Sequence, residues 1–193
     1  MRSFTLSCAA AALVCACSTP TDHFYTLIGD APAAPAGGSG PSVLIASISL
    51  PEAVDRSELV LRKGPNSVAV MDTRRWAESL KSAIPRVVAN DLAPLIDSTS
   101  VSTTEDDLGQ NAKYRVKLDV TRFDINLGGM QEIDVAWVIH RASGAPDVGG
   151  KAALRVAARG GEFDDAVAAQ SQALAQLSSD IGKKIKDLEK GGN

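Results

Sequence analysis

The sequence predicts an α+β fold, a two-layer sandwich in which two long amphipathic helices pack on a mostly antiparallel sheet of about six strands. Three observations predict it. Two long stretches, 72–96 and 163–190, carry apolar residues at helical spacing. Several shorter stretches alternate apolar and polar residues with the two-residue period of a half-buried strand. Glycine and proline lie between these stretches, where turns are expected.

The first 16 residues have the features of a cleavable signal peptide. Arg2 supplies positive charge, and the apolar stretch 4–14 is shorter than the roughly 20 residues that cross a bilayer. The next residues, Val14-Cys15-Ala16-Cys17, match a lipoprotein processing site: an aliphatic residue, then a small one, then cysteine. We therefore expect cleavage before Cys17 and attachment of lipid to its thiol.

The residues after the cleavage site predict where the protein is held. Cys17 is the last of three cysteines in the chain, so the mature chain has no partner for an internal disulfide. Ser18 follows it rather than aspartate, a pattern that predicts sorting to the outer membrane, facing the periplasm. Residues 17–22 form a lipidated tether that reaches roughly 20 Å. A single domain, 23–193, follows.

The first half of this domain reads as strands, a linker, a hairpin and a helix. Residues 23–28 and 43–50 favour strands, and the Ala, Pro and Gly of 30–42 indicate a flexible linker. A Gly-Pro-Asn turn within 59–71 predicts a hairpin. Asp72 or Thr73 is expected to cap the first helix. Pro85 lies inside that helix and predicts a kink or a break.

The second half reads as a polar loop, three strands and a helix. The loop spans 97–112, and the strands are expected at 114–127, 133–139 and 151–158. The glycine pairs 128–129, 149–150 and 160–161 are interpreted as turns at strand ends. The helix over 163–190 has acids at its start and lysines near its end, which complement its dipole.

The sequence contains no recognisable catalytic motif, metal-ligand motif or cofactor motif. His23 and His140 have no partner at metal-ligand spacing. No phosphate loop is present, and the Gly-rich run 37–41 does not complete a lipase nucleophile motif. Asp119 and Asp124, five residues apart on one predicted strand, are expected to face opposite sides in solvent. The net charge of −3 gives no footprint for nucleic acid.

Several short motifs along the mature chain, in their order and spacing, resemble the ABC-type transport auxiliary lipoproteins of the PqiC/YmbA family. Besides Cys17 and the 59–71 hairpin, they are Tyr25-Thr26-Leu27, Leu50-Pro51, Trp76-Ala77-Glu78-Ser79-Leu80 and Ala136-Trp137. Within these motifs, the residues expected to have a structural role are Tyr25, Leu27, Pro51, Trp76, Leu80 and Trp137. We interpret Trp76 and Leu80 as core anchors on the apolar stripe of the first helix. Pro85 departs from the family pattern.

The resemblance implies a role in intermembrane lipid transport. Family members accompany inner-membrane proteins with MCE domains, and the lipoprotein is the outer-membrane partner of their lipid-conducting tunnels. This implies a non-enzymatic outer-membrane subunit that supports envelope integrity. The tunnels are symmetric rings, which several copies of a partner match best, so we also expect homo-oligomers. Two alternatives stay open: an assembly or pilot lipoprotein for an outer-membrane complex, and a lipid-modifying enzyme, which the missing site disfavours.

Overall fold

The computed structural model describes residues 21–32, 36–103 and 107–191. Eleven elements follow one another: β1 (His23–Tyr25), β2 (Val43–Ser49), β3 (Glu58–Gly64), β4 (Ser67–Trp76), α1 (Leu80–Leu95), β5 (Val101–Ser102), α2 (Asp107–Gln110), β6 (Tyr114–Asp124), β7 (Met130–Arg141), β8 (Val148–Ala157) and α3 (Phe163–Gly191). The predicted α+β class is confirmed.

The strands form two sheets rather than the single sheet of about six strands that the sequence predicts. The larger has the order β5-β2-β6-β7-β8, and the smaller has the order β1-β4-β3. Pairing is mixed: β2 runs parallel to β5 and β6, and β1 runs parallel to β4, whereas β3–β4, β6–β7 and β7–β8 are antiparallel. The two sheets touch where the N–H of Arg62 donates to the carbonyl of Ile125 over 2.8 Å.

The two long helices lie side by side on one face of the five-stranded sheet. α1 packs on β2, α3 packs on β7 and β8, and the helices pack on each other. Gly182 permits their contact, because a Cβ there would lie 3.3 Å from Cδ1 of Leu92. The inner face of the central strands supplies the apolar core; its fully buried members include Val116, Phe123, Ile133 and Ile139. No helix in the described ranges is long and apolar enough to cross a membrane.

The first helix differs from its prediction at its start. β4 continues to Trp76, and Ser79 rather than Asp72 or Thr73 caps the helix, accepting a hydrogen bond from the N–H of Ser82. Trp76 therefore belongs to a strand end and not to the helix stripe. The helix continues through Pro85 without a break. Pro85 removes one hydrogen bond close to the N-terminal end, and its buried ring packs in the core.

Other strands and loops also have boundaries that differ from the predicted ones. The first predicted strand is shorter, at His23–Tyr25, and the polar loop contains β5 and α2. Gly149 and Gly150 lie inside β8 instead of in a turn. Of the predicted linker, residues 33–35 lie outside the described residues. The chain after them is fixed to the end of α1, where a Cβ on Gly40 would lie 2.0 Å from the carbonyl oxygen of Ile96.

Candidate functional site

The predicted lipidation residue, Cys17, lies outside the described residues, so its modification stays a prediction. The described chain begins at Thr21, immediately before β1. What the structure does show is how the chain next to the tether joins the folded domain. We call residues 21–32 the N-terminal segment.

The N-terminal segment is held by side chains from both long helices. Leu27 is fully buried, and its carbonyl accepts a hydrogen bond from the Arg86 guanidinium of α1 over 3.0 Å. The N–H of Ile28 donates to the Ser171 hydroxyl of α3 over 3.2 Å. A buried apolar side chain and neighbouring hydrogen bonds from two helices thus fix this segment across the helical layer.

Asp91 of α1 makes the last attachment of the segment. Its carboxylate accepts a hydrogen bond from the N–H of Ala31 over 2.9 Å, and the residue is 1% exposed. Burial raises the pKa of the Asp91 carboxyl, while the N–H groups of Ala31 and Asp30 oppose that rise. Gly29 permits the close approach, since a Cβ there would lie 2.8 Å from the Asp91 carboxylate.

An aromatic group surrounds β1 where the segment enters the fold. The ring of Tyr25 lies 5.7 Å from that of Phe163 at the start of α3, and the Arg74 guanidinium lies 5.3 Å from the centre of the Phe163 ring. Burial raises the pKa of the Tyr25 hydroxyl. Trp76 is buried and packs edge-on against Phe123, with ring centres 6.2 Å apart. These contacts join the start of the chain to the core.

The other residues of the family motifs also contribute to the fold rather than to a binding site. Leu80 is buried in the first turn of α1, which confirms that it belongs to the core, as does Trp76. The carbonyl of Pro51 accepts hydrogen bonds from the N–H groups of Val54 and Asp55, so it closes the turn after β2. Trp137 is buried on the inner face of β7. These residues build and stabilise the fold, and the structure does not gather them into one site.

The outer face of the five-stranded sheet carries a group of paired charges that the sequence did not reveal. Arg62 lies 2.6 Å from Asp124, and Arg155 lies 2.7 Å from Asp134. Arg122 lies between them and contacts both acids as well as Glu132. The group balances three guanidinium groups against three carboxylates and links the β3–β4 hairpin to the larger sheet. Most of its side chains are partly exposed, so each pair stabilises the fold only modestly.

The expected placement of Asp119 and Asp124 on opposite faces is wrong. A β-bulge in β6 lies between Val120 and Arg122 and shifts the alternation by one residue. Both carboxylates therefore lie on the outer face, with Val120 and Phe123 buried between them on the inner face. The Asp124 side chain is 12% exposed and is covered by its arginine partners. The Asp119 carboxylate accepts a hydrogen bond from the Ser49 hydroxyl.

The described residues give little support for metal or acid–base chemistry. They contain no group of three or more His, Cys, Asp or Glu residues that could hold a metal ion. The Nδ1 atom of His140 lies 2.7 Å from an oxygen of Asp147 at the protein surface. The charged outer face has a shallow depression beside Ala136 and Ala153, and the acids around it face lysine and arginine.

Sequence reasoning missed Arg86, Asp91 and Ser171, the residues that hold the N-terminal segment. Each lies far from that segment in the chain and on a helix whose pattern indicates only an apolar stripe. The signal that was present is Leu27, which the motif Tyr25-Thr26-Leu27 marks as a structural position. It does not indicate which helices receive it.

Comparison with known proteins identifies the family. The family model of the ABC-type transport auxiliary lipoprotein component matches residues 25–182. No curated protein gives a significant match. A crystal structure of an uncharacterised protein has a TM-score of 0.70 at 17% identity, covering 86% of this chain and 99% of that chain. A DUF330 protein from Xanthomonas campestris has a TM-score of 0.66 at 16% identity, covering 88% and 99%.

These structures share the fold, and the family model covers most of the chain, from β1 into the second half of α3. The resemblance inferred from the sequence motifs is confirmed. The chain belongs to the ABC-type transport auxiliary lipoprotein component family.

Proposed function

We propose that this chain is a non-enzymatic outer-membrane lipoprotein subunit of an MCE-type, ABC-linked intermembrane lipid transport system. The observation that carries the proposal is the family match over residues 25–182, because its members are auxiliary components of ABC-type transport. An auxiliary component acts through position and contact. The family resemblance and the residues after Cys17 support the MCE partner and the outer-membrane location.

The geometry of the N-terminal segment supports a positioning role. Five residues, 18–22, separate Cys17 from β1, and they span roughly 20 Å at most. Beyond them Leu27 is buried, its carbonyl accepts a hydrogen bond from Arg86, and the N–H of Ile28 donates to Ser171. A lipid on Cys17 would therefore hold the whole sandwich close to the membrane, where it can meet the outer end of a lipid-conducting partner.

The charges of the outer sheet face support a role without catalysis. Asp124 and Asp134 each face arginine, so their carboxylates are engaged in holding strands and the hairpin together. A general acid or base instead needs access to a substrate proton. Hydrolysis of phospholipid by the purified protein would contradict this part of the proposal and support the lipid-modifying enzyme.

A genetic experiment tests the transport role. The gene for this chain, the MCE gene and both genes are deleted, and sensitivity to detergent is measured. The double deletion is expected to be no more sensitive than the MCE deletion alone, because both products serve one route. The wild-type gene should restore resistance and the Cys17→Ser variant should not. Additive defects would contradict the proposal.

Cross-linking in the intact envelope identifies the partner. A photoreactive residue is placed at Lys117 on the outer sheet face, or at Lys186 near the end of α3, since both side chains are exposed. We expect an MCE protein to be recovered from at least one position. Recovery of a secretin or a lipopolysaccharide translocon, with no MCE protein, would replace the transport role by the assembly or pilot role.

The proposal includes homo-oligomers. Transport tunnels of MCE proteins are symmetric rings, and several copies of a partner match such a ring better than one copy does. Light scattering on the protein in detergent measures the mass. A monomer over the whole accessible concentration range would contradict this part.

A further inference from the structure

Six large hydrophobic side chains are exposed in the part of the chain that the structure describes. Phe24 and Ile28 lie in the N-terminal segment, at 64% and 60% exposure. Val68 and Val70 lie on β4 within the hairpin, and Leu127 and Met130 flank the β6–β7 turn. Scattered single apolar residues are normal on a surface. What distinguishes Phe24, Leu127 and Met130 is their placement.

The elements that carry them contact one another. β1 pairs with the end of β4, and Phe24 lies opposite Arg75 in that pairing. The hairpin reaches the β6–β7 connection through the bridge between Leu61 and Ile125. The β6–β7 turn lies against the start of α3, because a Cβ on Gly128 would lie 3.7 Å from Cα of Gly161. Tyr25, next to Phe24, contacts Phe163 at the start of α3. Val68 pairs with Arg62 beside the hairpin turn, seven residues along β4 from Arg75, so it lies well away from Phe24. We call the region of Phe24, Leu127 and Met130 the apolar end.

The other end of the molecule has the opposite character. α3 begins beside Tyr25, and its 29 residues span about 43 Å. Its last turns carry Lys183, Lys184, Lys186 and Lys190, and Glu189 there accepts a hydrogen bond from Tyr114. The chain therefore enters the fold at the apolar end, and the lysines lie a full helix length away.

We propose that the apolar end contacts the lipid surface that holds Cys17, with Phe24 inserted among the headgroups and upper acyl chains. The contact rests on the lipid anchor of the proposed function. Phe24 follows the five-residue tether by one residue, so it lies within about 25 Å of the acylated cysteine. An anchor this short brings the apolar end to the membrane before any other part of the domain.

The charges of this region indicate apolar insertion rather than attraction to anionic lipid. Arg75 lies 3.2 Å from Glu58 and 3.6 Å from Asp22, and Lys81 lies 2.5 Å from Asp55. Tyr25 is also close to Arg74 and to the acids Glu162 and Asp164, so the region near β1 has no excess of positive charge. The contact should therefore form on neutral phosphatidylcholine and depend weakly on salt. A second copy of the chain is the competing occupant of such a surface.

Fluorescence of the full lipidated chain in phosphatidylcholine vesicles tests the contact. Phe24→Trp or Met130→Trp places an indole at the apolar end, and Lys186→Trp is the matched control at the far end of α3. The native Trp76 and Trp137 are buried and give a background measured in the wild-type protein. Phospholipids brominated along the acyl chain quench an indole that reaches them. We expect quenching of the first two variants to exceed that of the control by at least about twofold.

The outcomes separate this contact from the lipid anchor. A chain that floats with the vesicles while both apolar-end indoles stay unquenched overturns the contact and leaves the anchor intact. A chain that fails to float overturns the anchor and the contact together. Indoles that become shielded from aqueous acrylamide without being quenched by the brominated lipid overturn the contact in favour of a second copy. If Phe24→Trp does not fold, Met130→Trp decides alone.

Discussion

The indole ring of Trp137 lies against the backbone of Gly150, so close that a Cβ on Gly150 would sit 2.4 Å from the ring atom Cζ2. The two residues are paired across β7 and β8. Trp137 therefore covers the adjacent strand where that strand has no side chain. Gly150, which the sequence placed in a turn, provides the space for a large ring within the sheet.

Gly150→Ala is expected to destabilise the protein by about 1–3 kcal/mol, because the Trp137 ring must leave its position. Urea unfolding followed by circular dichroism measures the change. Gly161→Ala is the control: a Cβ there meets nothing within 4 Å, so its effect should stay within about 0.5 kcal/mol. Equal effects of the two substitutions would show that the Trp137 contact is unimportant.

Trp76→Ala removes a large side chain that is 5% exposed and packed on Phe123. The cavity is expected to cost roughly 3–5 kcal/mol and to abolish much of the cooperative unfolding transition of the chain produced from Thr21. Thermal unfolding is the measurement, and Phe24→Ala, which truncates an exposed ring, is the comparison. An unchanged melting temperature for Trp76→Ala would place its ring on the surface.

Asp91 predicts a pH dependence of stability. Burial raises its pKa above the ordinary value of 3.8, so the folded chain holds the proton more tightly than the unfolded chain does. The free energy of unfolding should therefore fall as pH rises between these two pKa values. Asp91→Asn removes the titration and keeps an oxygen for the N–H of Ala31. Between about pH 4 and about pH 7 it should lose less stability than the wild-type chain.

The measurement is urea unfolding of both proteins across this pH range. Asp187→Asn, on the exposed side of α3, controls for the general effect of removing one carboxylate. Other carboxyls, such as Glu58, have a lowered pKa and oppose the trend in both proteins, so the difference between the curves is the informative quantity. Parallel curves for the wild type and Asp91→Asn would contradict the prediction.

Cys17→Ser tests the anchor directly. The substitution removes the thiol that would carry the diacylglycerol, so we expect an unprocessed precursor without lipid. Metabolic labelling with a radioactive fatty acid and gel mobility measure the two effects. Cys15→Ser is the matched control and should be processed and labelled normally. A Cys17→Ser protein that is still matured and acylated would contradict the assignment.

The elements that sequence reasoning predicted well are those with a complete local pattern. Alternation along β7 and the long stripe of α3 each repeat many times, so one boundary error cannot hide the period. The β3–β4 hairpin was predicted because Pro65 and Asn66 provide a turn between two apolar runs. In these cases the local signal and the tertiary packing agree.

The errors arose where distant contacts override a local signal. Trp76, Leu80 and Ile84 have helical spacing, yet Trp76 pairs with Tyr25 of β1 and its N–H donates to Ser57. Parallel pairing between residues 51 positions apart leaves no local trace in the sequence. The bulge after Val120 likewise changes which face Asp124 occupies without altering composition. The site around Leu27 could not be predicted for the same reason, because its partners come from two separate helices.

The attachment of the N-terminal segment determines how a mechanical load would pass through the domain. A pull on Thr21 acts first on the three residue pairs between β1 and β4. It then acts on the buried Leu27 and on the bonds to Arg86, Ser171 and Asp91. The load therefore passes in turn to a strand and to both long helices. If Cys17 carries lipid as proposed, a movement of the membrane would reach the domain along this path.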